Sequence, residues 1–131
     1  MFSMAFQSKV MVYDPYLKPA AQATWVDTLG ADRVSFVPNL EDLLATADVV
    51  SVHIPLMEST RNLIGARELR LMKNSAIIIN SARGGIINEE DLAIALEEAQ
   101  IFGAGLDAFD SEPPSLKKHE RFCRLDNVVM T

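Results

Sequence analysis

Ala76-Ile77-Ile78-Ile79-Asn80-Ser81-Ala82-Arg83-Gly84-Gly85 decides the fold of this chain. Its first four residues are apolar and rich in β-branched side chains, so they read as a strand, and the glycine pair breaks it. The run does not alternate with polar residues. Strands of that kind belong to parallel sheets covered on both faces. Arg83 follows just past the strand, where ligands bind in open α/β sheets.

Working outward, the same pattern recurs. Val10-Met11-Val12-Tyr13 is a short apolar run closed by Asp14-Pro15, a turn signal. Val34-Ser35-Phe36-Val37 is a weaker strand, residues 48–53 a stronger one ended by Pro55, and residues 102–106 and 127–130 the last two. Between them lie helical segments. Residues 20–29 stop at Gly30, Asn39 caps a segment reaching Thr46, and residues 67–73 form a short helix. Asn88 caps residues 89–99, where Leu92, Ala95, Leu96 and Ala99 make a stripe at helical spacing. Strands alternating with helices predict an α/β fold with a parallel sheet. A second site residue, Glu112, follows the run Gly105-Leu106-Asp107-Ala108-Phe109-Asp110-Ser111. Arg83 and Glu112 thus arrive at one sheet edge from two strands, as a catalytic pair or as a structural ion pair.

Composition narrows the classes. The chain has 131 residues, enough for one domain, with 49% apolar and 23% charged residues. Twelve basic against 18 acidic residues give a net charge of −6, which offers no electrostatic footprint for nucleic acid or an anionic membrane. No apolar stretch has the length of a membrane span. The apolar start, Met1-Phe2-Ser3-Met4-Ala5-Phe6, lacks the basic region and cleavage site of a signal peptide, and Cys123 is the single cysteine. A cytosolic (cytoplasmic) chain is expected, with Cys123 as a small apolar filler. The charges of residues 111–125, the longest loop, read as a solvated surface.

Four of these motifs, in this order, resemble the NAD-binding domain of the D-2-hydroxyacid dehydrogenase family (phosphoglycerate-dehydrogenase-like), from about Phe6 to Thr131. They are Val10 through Pro15; Ala47 through Leu56 followed by Thr60; Leu71-Met72-Lys73 through Arg83-Gly84-Gly85 to Glu89; and Gly103-Ala104-Gly105-Leu106-Asp107 through Glu112-Pro113. The resemblance implies hydride transfer between nicotinamide and a small 2-hydroxy or 2-keto acid. It implies NAD as cofactor: Asp14 would accept hydrogen bonds from the ribose hydroxyls and repel a 2′-phosphate. Arg83 would hold the substrate carboxylate with its planar fork and polarise the reacting carbonyl. Glu112 would pair with a catalytic histidine. Asp107 would orient the nicotinamide carboxamide, Ser81, Ala82 and Arg83 would line its pocket, and His53, Pro55 and Thr60 would lie along the cofactor cleft. Read without the resemblance, Asp14 is a turn-former, Asp107 a strand-end cap and His53 a hydrogen-bonded strand end.

The same resemblance implies a partial NAD-binding domain over residues 1–131, with the substrate domain absent. The expected architecture is an incomplete doubly wound parallel sheet, Rossmann-like, lacking its first strand and glycine-rich turn. That turn, which holds the pyrophosphate, would stand about 20 residues before Val10. In the order 3-2-1-4-5-6 the first strand is central. Three arrangements then stay open: the second strand pairs with the fourth, another chain fills the slot, or the part before Val49 is loosely held. The family's acid/base histidine would follow Thr131 by two residues. The 131 residues are therefore expected to be inactive or nearly so, and His119, in the polar loop, is not expected to substitute. Two rival readings are a non-catalytic NAD-sensing or protein-interaction module that pairs with itself or a full-length homologue, and an unrelated α/β nucleotide binder.

Overall fold

The computed structural model describes residues 7–111, 115 and 117–131. The chain divides into two compact units, residues 1–43 and 44–131. In the first, β1 (Val10–Val12) pairs in parallel with β2 (Val34–Phe36), Val10 opposite Val34 and Val12 opposite Phe36. Between them runs α1 (Pro19–Leu29). Pro19 occupies its first turn, where the missing N–H costs nothing, and Gly30 ends it at φ +92°. α2 (Leu40–Thr46) starts with Glu41 and Asp42 at its positive end and crosses the unit boundary.

The second unit is a four-stranded parallel sheet. Its strands are β3 (Val49–Val52), β4 (Ile77–Asn80), β5 (Gly103–Leu106) and β6 (Val128–Met130), adjacent in chain order. Register puts Val50, Ile78, Ala104 and Val128 in one row and Val52, Asn80, Leu106 and Met130 two rows further on. Among the described residues the strands fall into a two-stranded sheet, β1-β2, and a four-stranded one, β3-β4-β5-β6.

The connections supply the core. A 3-10 turn (Glu58–Thr60) and α3 (Ala66–Leu69) lie between β3 and β4, α4 (Glu89–Glu97) between β4 and β5, and α5 (Glu120–Cys123) between β5 and β6. Leu69, Ile78, Ile86 and Leu92 are fully buried there. α3 packs on α4, and the Asp91 carboxylate accepts the Ala66 N–H at 3.0 Å, satisfying one free donor at the start of α3. Asn88 caps α4 as expected, its Oδ1 accepting the Asp91 N–H at 3.1 Å.

Several expectations are corrected. The short helix expected at 67–73 is α3, Ala66–Leu69, continued only by i+3 bonds from Leu71 and Met72. α4 ends at Glu97, not 99: Ala99 takes a left-handed φ of +52°, Gln100 N–H closes on the Ala95 carbonyl at 2.8 Å, and Ala99 leaves the buried stripe. Residues 111–125 are not all loop: α5 forms within them and buries Phe122, His119 is also buried, and Cys123 is exposed, while the charged Lys117, Lys118, Glu120 and Arg124 are exposed as expected.

Burial within the four-stranded sheet is uneven among the described residues. β3 and β4 alternate in burial, and Val49, Ile79 and Val129 are 54%, 36% and 66% exposed. The physical reason is topological. Right-handed crossovers between strands laid down in one direction put every connecting helix on the same side.

Candidate functional site

The carboxyl ends of β3 and β4 open into one cavity of about 570 Å³, lined by His53, Ile54, Pro55, Leu56, Ser81, Ala82 and Arg83. Five of the residues singled out by sequence meet there: His53, Pro55, Ser81, Ala82 and Arg83. Parallel register explains the meeting. Val52 stands opposite Asn80, so the residues that follow each strand emerge side by side.

Each wall is held from behind. Asn80, 2% exposed, donates its side-chain amide to the Arg83 carbonyl at 2.9 Å, and its Oδ1 accepts the Ala82 N–H at 3.2 Å. That staple folds Ser81, Ala82 and Arg83 into a turn. Gly84 follows because nothing larger fits: a Cβ there would stand 1.9 Å from the backbone carbon and oxygen of Phe109. On the other wall the Thr60 hydroxyl donates to the Pro55 carbonyl and accepts the Met57 N–H, both at 2.7 Å. Thr60 therefore shapes the loop and does not line the cavity. The two walls are laced together, Asn62 N–H donating to the Gly85 carbonyl at 2.7 Å and Ile64 N–H to the Ile86 carbonyl at 3.2 Å.

Arg83 and His53 are both exposed. Arg83 Nη1 donates to the Ala82 carbonyl at 2.7 Å, which leaves most of its guanidinium fork for a ligand. His53 Nε2 lies 2.8 Å from the Ser51 hydroxyl. Asp107 follows β5, its N–H donating to the Asn80 carbonyl at 2.9 Å and its Oδ1 accepting the Thr131 hydroxyl at 2.9 Å. It neighbours the Asn80 staple but is not part of the cavity lining. Asp14 Oδ1 accepts the Tyr16 N–H at 2.9 Å, the turn its position before proline suggests, with Oδ2 left over for other donors. Glu112 lies outside the described residues. His119 lies at a separate cavity of about 350 Å³ with Glu89 and Arg121.

Sequence reasoning missed Asn80 and Gly84. Both had signals. An asparagine ending an apolar strand bonds its own backbone two residues on, and a glycine after a functional loop marks a close backbone approach.

The perturbed charges sit apart from the cavity lining. Burial pushes the Glu68 carboxyl up, but hydrogen bonds from Arg67 and the backbone of Gly65 and Glu68 outweigh it and hold Glu68 below the usual range. The Arg121 guanidinium, hydrogen-bonded to Glu97, lowers the Glu97 carboxyl and is itself raised.

A hollow of several hundred cubic ångströms, apolar on Ile54, Pro55 and Leu56 and cationic at Arg83, is of the size and chemistry that small-molecule sites show. Residues 1–131 match the family described as D-isomer specific 2-hydroxyacid dehydrogenase, NAD binding domain. The chain is 40% identical over 128 residues to a D-3-phosphoglycerate dehydrogenase of Methanocaldococcus jannaschii, covering 97% of this chain and 22% of that protein. It is 38% identical over 129 residues to a hydroxypyruvate reductase of Thermotoga maritima, covering 98% of this chain and 39% of that one. It superposes with a TM-score of 0.79 and 30% identity on the NAD-complexed D-isomer specific 2-hydroxyacid dehydrogenase of Lactobacillus delbrueckii ssp. bulgaricus, covering 98% of this chain and 39% of that structure. The chain thus spans well under half the length of these relatives. On this evidence the chain belongs to the D-isomer specific 2-hydroxyacid dehydrogenase family, which it matches through the NAD-binding domain.

Proposed function

We propose that these residues are the cofactor-binding part of an oxidoreductase that moves hydride between nicotinamide and a small 2-hydroxy or 2-keto acid. The carrying observation is the cavity that joins His53, Pro55, Ser81, Ala82 and Arg83. Bound NAD would supply the hydride acceptor. Asp14 would hold the ribose hydroxyls, Asp107 the carboxamide, and Ser81 and Ala82 the nicotinamide wall. Thr60 contributes by holding the Pro55 carbonyl. Arg83 would take the substrate carboxylate in two parallel hydrogen bonds and draw charge from the reacting carbonyl. In this reading Glu112 would steady a protonated histidine.

The 131 residues alone should bind ligand without turning it over. Among the described cavity residues the only histidine is His53, whose Nε2 faces the Ser51 hydroxyl rather than a carboxylate. A titration with oxalate, a dicarboxylate stand-in for a 2-keto acid, tests the reading. Arg83→Lys should weaken binding by roughly 10- to 100-fold, as loss of a charge-assisted bidentate pair implies. Equal affinity in the two proteins would refute it.

The exposed apolar side chains of Val49, Ile79 and Val129 favour a second reading, an interaction module that pairs with itself or a homologue. Sedimentation over a wide concentration range separates the two. A dimer that persists when Arg83 is replaced supports the module.

A further inference from the structure

We infer that Glu89, at the start of α4, is a positioning residue that sets the Arg83 loop through the backbone of Phe109 and Asp110. The inference rests on the reading of Arg83 as the carboxylate-binding group.

Both Glu89 carboxylate oxygens reach into the chain between β5 and α5. Oε1 accepts the Asp110 N–H at 2.5 Å, and Oε2 lies 3.2 Å from His119 Nε2. His119 is 3% exposed, and its Nδ1 lies 3.1 Å from the Ser115 carbonyl, so that nitrogen carries a hydrogen and donates. Its Nε2 has no aligned hydrogen-bond partner, which leaves Glu89 Oε2 as the group it faces. The imidazole stacks obliquely on Phe109, ring centres 4.8 Å apart.

The linkage then passes to Arg83. The Phe109 carbonyl and Asp110 nitrogen press on Gly84, where a Cβ would meet them at 1.9 and 2.3 Å. A peptide plane that close to the residue after Arg83 fixes where the loop can sit. Glu89 holds that plane at the Asp110 nitrogen. The other ties on Asp110, Arg61 at 3.9 Å and Lys118 at 3.7 Å, are long and half-exposed, and such pairs contribute little. Glu89 instead bonds a backbone donor and faces a buried ring. A two-pronged guanidinium contact is sensitive to small displacements, since about 1 Å of misplacement costs on the order of 100-fold.

The test uses the ¹⁵N-labelled full chain, with oxalate as probe and NMR as readout. Glu89→Ala should weaken oxalate about tenfold and shift the Gly84 and Asp110 amides, while those of His53 and Leu56 on the opposite wall stay in place. Glu89→Gln keeps an oxygen for the Asp110 N–H and should recover most of the affinity. If Glu89→Ala does not fold, Glu89→Asp carries the test: one methylene shorter, it cannot span both partners, and about threefold weakening is expected. Unchanged oxalate affinity in these variants, with Arg83→Lys still defective, overturns the inference alone. Signals moving equally on both walls also overturn it, because Glu89 would then be merely structural. If the wild-type chain does not bind oxalate, or Arg83→Lys binds it normally, the reading of Arg83 falls and takes the inference with it.

Discussion

The buried carboxamide of Asn80 donates to the main-chain carbonyl of Arg83 at 2.9 Å. A strand-end side chain thereby dictates the path of the loop that presents the guanidinium. The same carboxamide accepts the Ala82 N–H, so one residue closes the turn from both sides.

Removing that staple should be costly. Asn80→Ala leaves part-buried backbone groups without their side-chain partner and is expected to destabilise the chain by about 1–2 kcal/mol. Asn80→Asp keeps the acceptor for Ala82 but loses the donor to Arg83, and should still lose stability. Urea unfolding with an unchanged slope is the measurement, and a midpoint equal to wild type for Asn80→Ala would contradict the account.

Gly84→Ala should be worse than a typical loop substitution. Its Cβ would overlap the Phe109 main chain, and backbone cannot swing aside as a side chain can. A loss of about 3 kcal/mol or more is expected, the upper end of overpacking costs. Thermal unfolding followed by circular dichroism reads it directly.

The α4 stripe gives an internal control. Leu92 is fully buried and Ile94, two residues on, is 37% exposed. Leu92→Ala should cost about 2–5 kcal/mol, Ile94→Ala well under half of that. Similar losses at both sites would mean that α4 does not pack as described.

Acid should weaken the chain through Glu68 and Glu97. Both carboxyls are lowered in the folded state, so the native form binds fewer protons than the unfolded one. Their contribution is fully present above the unfolded carboxyl range and is lost as pH falls through their lower folded values. Glu97→Gln should therefore flatten the acid limb of a stability–pH curve and change little near neutrality. A steeper acid limb in Glu97→Gln would reverse the sign of the argument.

Asp14 offers a test of cofactor preference. Its Oδ1 is spent on the Tyr16 N–H, so a ribose would be met by Oδ2. Asp14→Ser is expected to weaken NADH more than NADPH, narrowing their difference, because the repulsion toward a 2′-phosphate goes with the charge. Fluorescence titrations with the two dinucleotides measure it, and an unchanged ratio would make Asp14 only a turn residue.

The sequence by itself determined the α/β class, the strands and the side chains at the cavity. Apolar β-branched runs such as Ile77-Ile78-Ile79 favour a sheet strand, and the residues after such a strand emerge at the sheet's carboxyl edge. That local logic singled out Arg83, and the family resemblance added His53, Pro55, Ser81 and Ala82, without coordinates. Only the tertiary structure decided what holds them. Asn80 turning inward, Gly84 pressed on Phe109 and Glu89 reaching Asp110 and His119 are contacts across 3 to 30 residues of chain, set by packing rather than by periodicity. The exposure of Val49, Ile79 and Val129 was equally hidden. An unbroken apolar strand does not reveal which side its helices will cover, because the order in which strands join the sheet settles that.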